Sequence, residues 1–106
     1  MVNILLVDDH QLVRKGLKAL LESHAGYQVI AEASNGRDAL LMIDSRRPDL
    51  VLLDIMMPER NGLEVAADIV SRPCAPKILL LTMCHIAEYI SEALKLVVID
   101  DLKDGL

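Results

Sequence analysis

The chain has 106 residues, 53% hydrophobic and 25% charged, with a formal net charge of -5, which suits one compact core and excludes a disordered chain or a two-domain enzyme. The acidic balance argues against nucleic-acid binding by the domain's own electrostatics, which needs a surplus of Lys and Arg, and favours a metal or cationic partner. No apolar run of about 18 residues could cross a bilayer, and with Tyr27 and Tyr89 the only aromatics, the core must be aliphatic and little is left to stack on bases or sugars.

Asn3 to Val7 (NILLV) is a continuous apolar run of the kind a strand buried on both faces needs, and it stops at Asp8 and Asp9. Leu12, Val13, Leu17, Leu20 and Leu21 recur at helical spacing, with Arg14, Lys15 and Lys18 opposite and His24-Ala25-Gly26 closing the helix. Tyr27 to Ala33 (YQVIAEA) reads as a second strand. Ser34-Asn35-Gly36 signals a turn, after which Ala39, Leu40 and Ile43 mark a short helix that must end near Arg47, because Pro48 disfavours helical geometry before it. Leu50 to Leu53 (LVLL) is a third strand, again ending in an acid, Asp54. A loop through Met56, Met57, Pro58 and Asn61-Gly62 leads to a helix expected to bury Leu63, Ala66, Ala67 and Val70, closed by Arg72-Pro73. Lys77 to Leu81 (KILLL) is a fourth strand ending in Thr82. Ile86, Tyr89, Ile90, Ala93 and Leu94 give a fourth helix, and Leu96 to Ile99 (LVVI) reads as a fifth strand. Such alternation indicates α/β architecture, a parallel sheet covered on both faces with right-handed crossovers.

In an open parallel sheet, sites lie outside the carboxyl ends of the strands. The residues just past the first, third and fourth strands are Asp8 and Asp9, Asp54, and Thr82. Like charges about 4 Å apart repel by on the order of 4 kcal/mol at an effective dielectric constant of about 20, so a cluster of three carboxylates implies a cation. Oxygen donors favour a hard ion such as Mg²⁺, which accepts carboxylates, water and a phosphate oxygen. Asp8 or Asp9 is also placed to cap the first helix. His10 reads as a helix-start residue without a phosphotransfer role, and Cys74 and Cys84, lacking metal-ligand spacing, read as small apolar fillers.

The strings ILLVDDHQLVRKGL, AEASNGRDAL, PDLVLLDIMMPERNGLEV and KILLLTM resemble the receiver domain of bacterial two-component response regulators, and in particular the NarL/FixJ-like branch, whose receivers usually precede a LuxR-type helix-turn-helix. The match runs from about residue 2 to 95, and several motifs in the right order make it specific. The resemblance implies a flavodoxin-like (CheY-like) doubly wound parallel sheet of five strands in the order 2-1-3-4-5. It makes Asp54 the phosphoacceptor, places Asp8 and Asp9 with Asp54 around Mg²⁺ or Mn²⁺, adds the backbone carbonyl of Met56 as a ligand, and makes Thr82 the hydroxyl that reports phosphorylation. Such a domain is not a conventional enzyme. It catalyses its own phosphoryl transfer from a histidine kinase or phosphotransfer protein, loses the group by slow autodephosphorylation, and switches its partner interactions, commonly in transcription regulation.

The last segment, residues 96–106, departs from the family pattern. Lys103 is the best match to the family's phosphoryl-neutralising Lys, yet it stands one residue early relative to Thr82 and no aromatic precedes it; an exposed terminal Lys is an equal account. Only three residues follow, where the fold needs a fifth helix of about 10 to 12 residues. One domain over residues 1–106 without an output domain is therefore expected, with the fifth helix missing or incomplete. Apolar surface left open there predicts a homodimer through the first helix, the fourth helix and the fifth-strand region. The alternative is a degenerate, truncated receiver acting only as a protein-interaction or dimerisation module. A small-molecule enzyme of similar architecture is disfavoured, since no Gly-rich phosphate loop follows the first strand. With two Cys and no leader pattern, the expected location is cytoplasmic, with no membrane contact and no direct nucleic-acid binding.

Overall fold

In the computed structural model of the chain, which describes residues 1–55, 57 and 61–81, the elements are β1 (Val2–Val7), α1 (Gln11–Glu22), β2 (Tyr27–Ala33), α2 (Gly36–Arg46), β3 (Leu50–Asp54), α3 (Gly62–Val70) and β4 (Lys77–Leu81). All neighbouring strands pair in parallel, in the order β2-β1-β3-β4. This is the expected flavodoxin-like arrangement over four strands. The helix expected over 86–94 and the strand expected over 96–99 lie outside the described residues, as do Met56, Thr82 and Lys103.

The apolar runs of β1 and β3 serve two cores at once, because successive side chains of a strand point to opposite faces. Ile4, Leu6, Leu50 and Leu52 pack with Leu17 and Leu21 of α1 on one face. Leu5, Val7, Val51 and Leu53 pack with Ala39 and Ile43 of α2 and with Val65 and Ile69 of α3 on the other. Each such side chain contributes about 1.5–3 kcal/mol by leaving water, so polar residues enter these strands only at their ends.

Both helices on the second face begin with the same device. The Asn35 side-chain Oδ1 accepts the Asp38 N–H at 2.8 Å, and the Asn61 side-chain Oδ1 accepts the Glu64 N–H at 3.0 Å, each cap being worth about 1 kcal/mol. α2 ends where Pro48 requires it. Arg47 turns left-handed at φ 48° as its cap, its N–H reaching the carbonyl of Ile43.

Two expected helix faces need correction. On α1, Leu17 and Leu21 are buried and Val13 and Leu20 lie at the margin, but Leu12 is 82% exposed. At 100° per residue Leu12 lies about 125° from the centre of that stripe. On α3 the buried residues are Gly62, Val65 and Ile69, whereas Leu63, expected inside, is 55% exposed and Val70 is exposed too. The helix is rotated by about 110° from the expected face. Its glycine contacts explain why. A Cβ on Gly62 would overlap the carbonyl oxygen of Asp54 and lie 2.8 Å from Ile55 Cα, and a Cβ on Gly36 would come within 2.6 Å of Val65 Cγ2. Gly62 must therefore face β3 and Val65 must seat against Gly36, which turns Leu63 outward. Cys74, expected as a filler, is instead exposed, in a left-handed turn at φ 54°.

α2 and α3 are also joined at their far ends, where Arg72 Nε donates to Asp44 Oδ1 at 3.0 Å and Nη2 to Oδ2 at 3.3 Å. The hydrogen bond from Arg72, with its charge, holds the Asp44 carboxyl below its ordinary 3.8. The pair is exposed, so its contribution is small.

In urea denaturation, Ile69→Ala is expected to lose about 2–5 kcal/mol, Gly62→Ala about 1–3 kcal/mol through overpacking, and Leu63→Ala less than about 0.5 kcal/mol. Equal losses for Ile69 and Leu63 would contradict the observed face. Because the Asp44 pKa is depressed on folding, its stabilisation is present above the unfolded value and disappears as pH falls through the folded one. Asp44→Asn should accordingly narrow the stability gap between neutral and acid pH, measured by thermal melts below about pH 5 and at pH 7.

Candidate functional site

The site is assembled where β1 and β3 end. Asp54 is the last residue of β3 and only 3% exposed, and Asp8 follows β1 with its N–H bonded to the carbonyl of Ala33 on β2 at 3.0 Å. Asp8 and Asp54 are the buried charged residues among those described. Asp9 lies next to them, and one ligand atom from each of Asp8, Asp9, His10 and Asp54 falls within 4.8 Å of all the others. The expected acid cluster is thus formed by tertiary structure, from residues 46 positions apart.

The polar surroundings hold this loop in place. The His10 N–H donates to Asp8 Oδ1 at 2.8 Å, and His10 Nδ1 stands 3.2 Å from the same oxygen and 3.1 Å from Asp9 Oδ1. Asp9 Oδ1 is shielded from solvent without an aligned hydrogen bond. Arg14 Nη1 donates to the carbonyl of Asp8 at 2.6 Å while its Nε donates to Glu32 Oε1 on β2 at 3.2 Å. On the β3 side, the Gly62 N–H bonds to the Ile55 carbonyl at 2.8 Å and the Ile55 N–H to the Leu81 carbonyl at 3.3 Å. The loop after Asp54 is in this way fastened to both α3 and β4.

Neither acid caps α1. That position belongs to His10, which makes no side-chain cap bond, while the Asp8 carboxylate takes the His10 N–H instead. His10, read as only a helix-start residue, therefore stands inside the cluster; its adjacency to Asp8 and Asp9 was the available signal. Arg14, read only as part of the polar face of α1, and Gly62, read only as a helix lead-in, both touch the site backbone. Met57 packs against the second core as a filler.

Three carboxylates at this spacing repel by at least about 3.5 kcal/mol per pair at an effective dielectric constant of about 20. The donor set fits a hard divalent cation such as Mg²⁺, since three carboxylates offer oxygens within 4.8 Å of one another.

The response regulator receiver domain family matches this chain over residues 4–103. The Bacillus subtilis (strain 168) transcriptional regulatory protein YdfI is 44% identical over 82 residues, covering 77% of this chain and 38% of that protein. The Escherichia coli (strain K12) response regulator UvrY is 43% identical over 83 residues, covering 78% of this chain and 38% of that protein. The chain thus spans about two fifths of the length of these relatives. Among solved structures, a LuxR-family two-component response regulator from Aurantimonas sp. SI85-9A1 superposes with a TM-score of 0.75 at 34% identity, covering 90% of this chain and 68% of that one. The signal receiver domain of the putative response regulator NarL from Mycobacterium tuberculosis gives 0.69 at 37% identity, covering 74% and 64%. With its parallel sheet, its acid cluster at the strand ends and a family match over nearly its whole length, the chain belongs to the response regulator receiver domains, on their LuxR/NarL side.

Proposed function

We propose that this domain accepts a phosphoryl group on Asp54 from a histidine kinase or phosphotransfer protein. The observation that carries this reading is the convergence of Asp8, Asp9 and Asp54 within 4.8 Å, with Asp54 terminating a strand buried on both faces. A carboxylate so placed has its backbone fixed at the end of β3. An Asp54 oxygen forms the new bond to phosphorus as the P–N bond of the phosphohistidine breaks, leaving an acyl phosphate on Asp54 and a neutral imidazole on the donor once a proton is taken up. Asp8, Asp9 and Asp54 would hold Mg²⁺ or Mn²⁺, joined by the Met56 carbonyl; the bound ion would offset the charge of the phosphoryl oxygens. Arg14 and Gly62 keep the two loops in register during the transfer. Water attack on the acyl phosphate returns the free carboxylate slowly.

Thr82 and Lys103 complete the reading as the hydroxyl that follows the phosphoryl group and the cation that pairs with it. Support for Lys103 is that the family match extends to residue 103. Residues 2–95 form the conventional part of the domain in this reading and 96–106 its altered tail. The net charge of -5 opposes direct nucleic-acid contact by these residues, and no described helix is long and apolar enough to cross a membrane, in keeping with a cytoplasmic signalling role. Self-association through the α1 side belongs to the same proposal, supported by the exposure of Leu12.

Adding beryllofluoride to the Mg²⁺-saturated protein is expected to shift the amide resonances of Asp9, Asp54 and Thr82 in the wild-type chain and to leave Mg²⁺-saturated Asp54→Asn unchanged. Silence in the wild type would overturn the phosphoacceptor role and leave an interaction-only receiver. Light scattering is expected to show a mass that rises with concentration and falls back in Leu12→Ser; a monomer at every concentration removes self-association.

A further inference from the structure

Asp8, Asp9 and His10 are the whole connection between β1 and α1, so two of the three clustered acids depend on one short loop for their place. We propose that Arg14 and Glu32 are a positioning pair for that loop, which sets the affinity of the acid cluster for a divalent cation through the Asp8–Asp9 peptide and without touching the cation. The proposal rests on the reading that Asp8, Asp9 and Asp54 hold such a cation.

The Asp8 carbonyl and the Asp9 N–H belong to one planar peptide unit, so a grip on that carbonyl fixes the plane from which the Asp9 side chain departs. Arg14 Nη1 supplies the grip at 2.6 Å, while the Asp8 N–H, bonded to the Ala33 carbonyl at 3.0 Å, holds the other side of the residue. Arg14 lies in the first turn of α1, where its own N–H bonds to the His10 carbonyl at 3.0 Å. Its Nε donates to Glu32 Oε1 at 3.2 Å, and its side chain is only 16% exposed, against 37% for that of Glu32. Glu32 pairs in register with Leu6, so β2 carries it on the face of the sheet that α1 covers. One planar fork thus joins a helix, a loop and a strand, which a lysine with its single flexible ammonium cannot reproduce.

Charge alone gives the opposite expectation. A guanidinium beside three carboxylates repels an incoming divalent ion, so a residue acting only by its charge would, on removal, tighten Mg²⁺. A residue acting by orientation does the reverse: without it the Asp8–Asp9 peptide is free to turn, the carboxylates lose their common focus, and Mg²⁺ binds more weakly. Glu32 contributes through Arg14, by aiming the guanidinium at the carbonyl, and has nothing to aim once Arg14 is gone.

The test titrates Mg²⁺ into the full ¹⁵N-labelled chain and follows the amides of Asp9 and Asp54, with urea stability measured on the same samples. Arg14→Gln is expected to weaken Mg²⁺ by about tenfold, the lower end of what outer-shell partners of metal ligands are worth, and Arg14→Lys to restore only part of the loss. Glu32→Ala should weaken Mg²⁺ in the wild-type background and add nothing in Arg14→Gln, because both act through one contact. Retained amide dispersion shows that the variants are folded. Lowered urea stability with unchanged Mg²⁺ affinity, tighter Mg²⁺ in Arg14→Gln, full restoration by Arg14→Lys, or additive losses in the double variant would each overturn the proposal. Wild-type binding with no response to these variants removes the pair alone, whereas no Mg²⁺ binding in the wild type removes the cation reading and the role of the pair with it.

Discussion

β1 and β3 are buried on both faces, and that constraint organises the rest of the molecule. A strand with Ile4 and Leu6 toward α1 and Leu5 and Val7 toward α2 and α3 has no wet side on which to carry a polar residue. Charge is admitted only where the strand stops. Asp8 and Asp54 occupy those two places, and because β1 and β3 are adjacent and parallel, with Val7 paired to Leu53, their ends coincide. The acid cluster is the consequence of strand order applied to two short sequences, each apolar until its final residue.

Keeping like charges together requires more than strand ends. The loop after β1 is held by Arg14, which binds the Asp8 carbonyl with one nitrogen and Glu32 with another, so that a cation on α1 connects β1 to β2 beside the site. The loop after β3 is held by Gly62, whose missing side chain lets α3 approach the backbone of Asp54 and Ile55. That approach also sets the rotation of α3. One glycine thus links the position of the candidate nucleophile to the packing of the second core.

The relatives named above are response regulators and transcriptional regulators more than twice as long as the part this chain matches. What they share with it is the receiver, a domain whose chemistry is confined to a carboxylate and its immediate electrostatic surroundings. In this chain those surroundings include an imidazole within 3.2 Å of two of the acids.

The sequence by itself determined the class of fold and the identity of the acids. Runs such as NILLV and LVLL, short, apolar throughout and alternating with helical periodicity, read as strands covered on both faces, and an acid closing each run falls at a strand end, so pattern and termination carried that much. The starts of α2 and α3 were legible as turn signals at Asn35-Gly36 and Asn61-Gly62, whereas the capping bonds of Asn35 and Asn61 came from the structure. Which face of α3 turns inward was not legible: Leu63 and Val70 are as apolar as Val65 and Ile69, and the choice between them is made by Gly62 against β3 and Val65 against Gly36. The place of His10 was likewise decided by tertiary structure. Its spacing in sequence says only that it precedes a helix, whereas its nearness to Asp54 depends on β1 and β3 ending side by side, a contact between residues 44 positions apart.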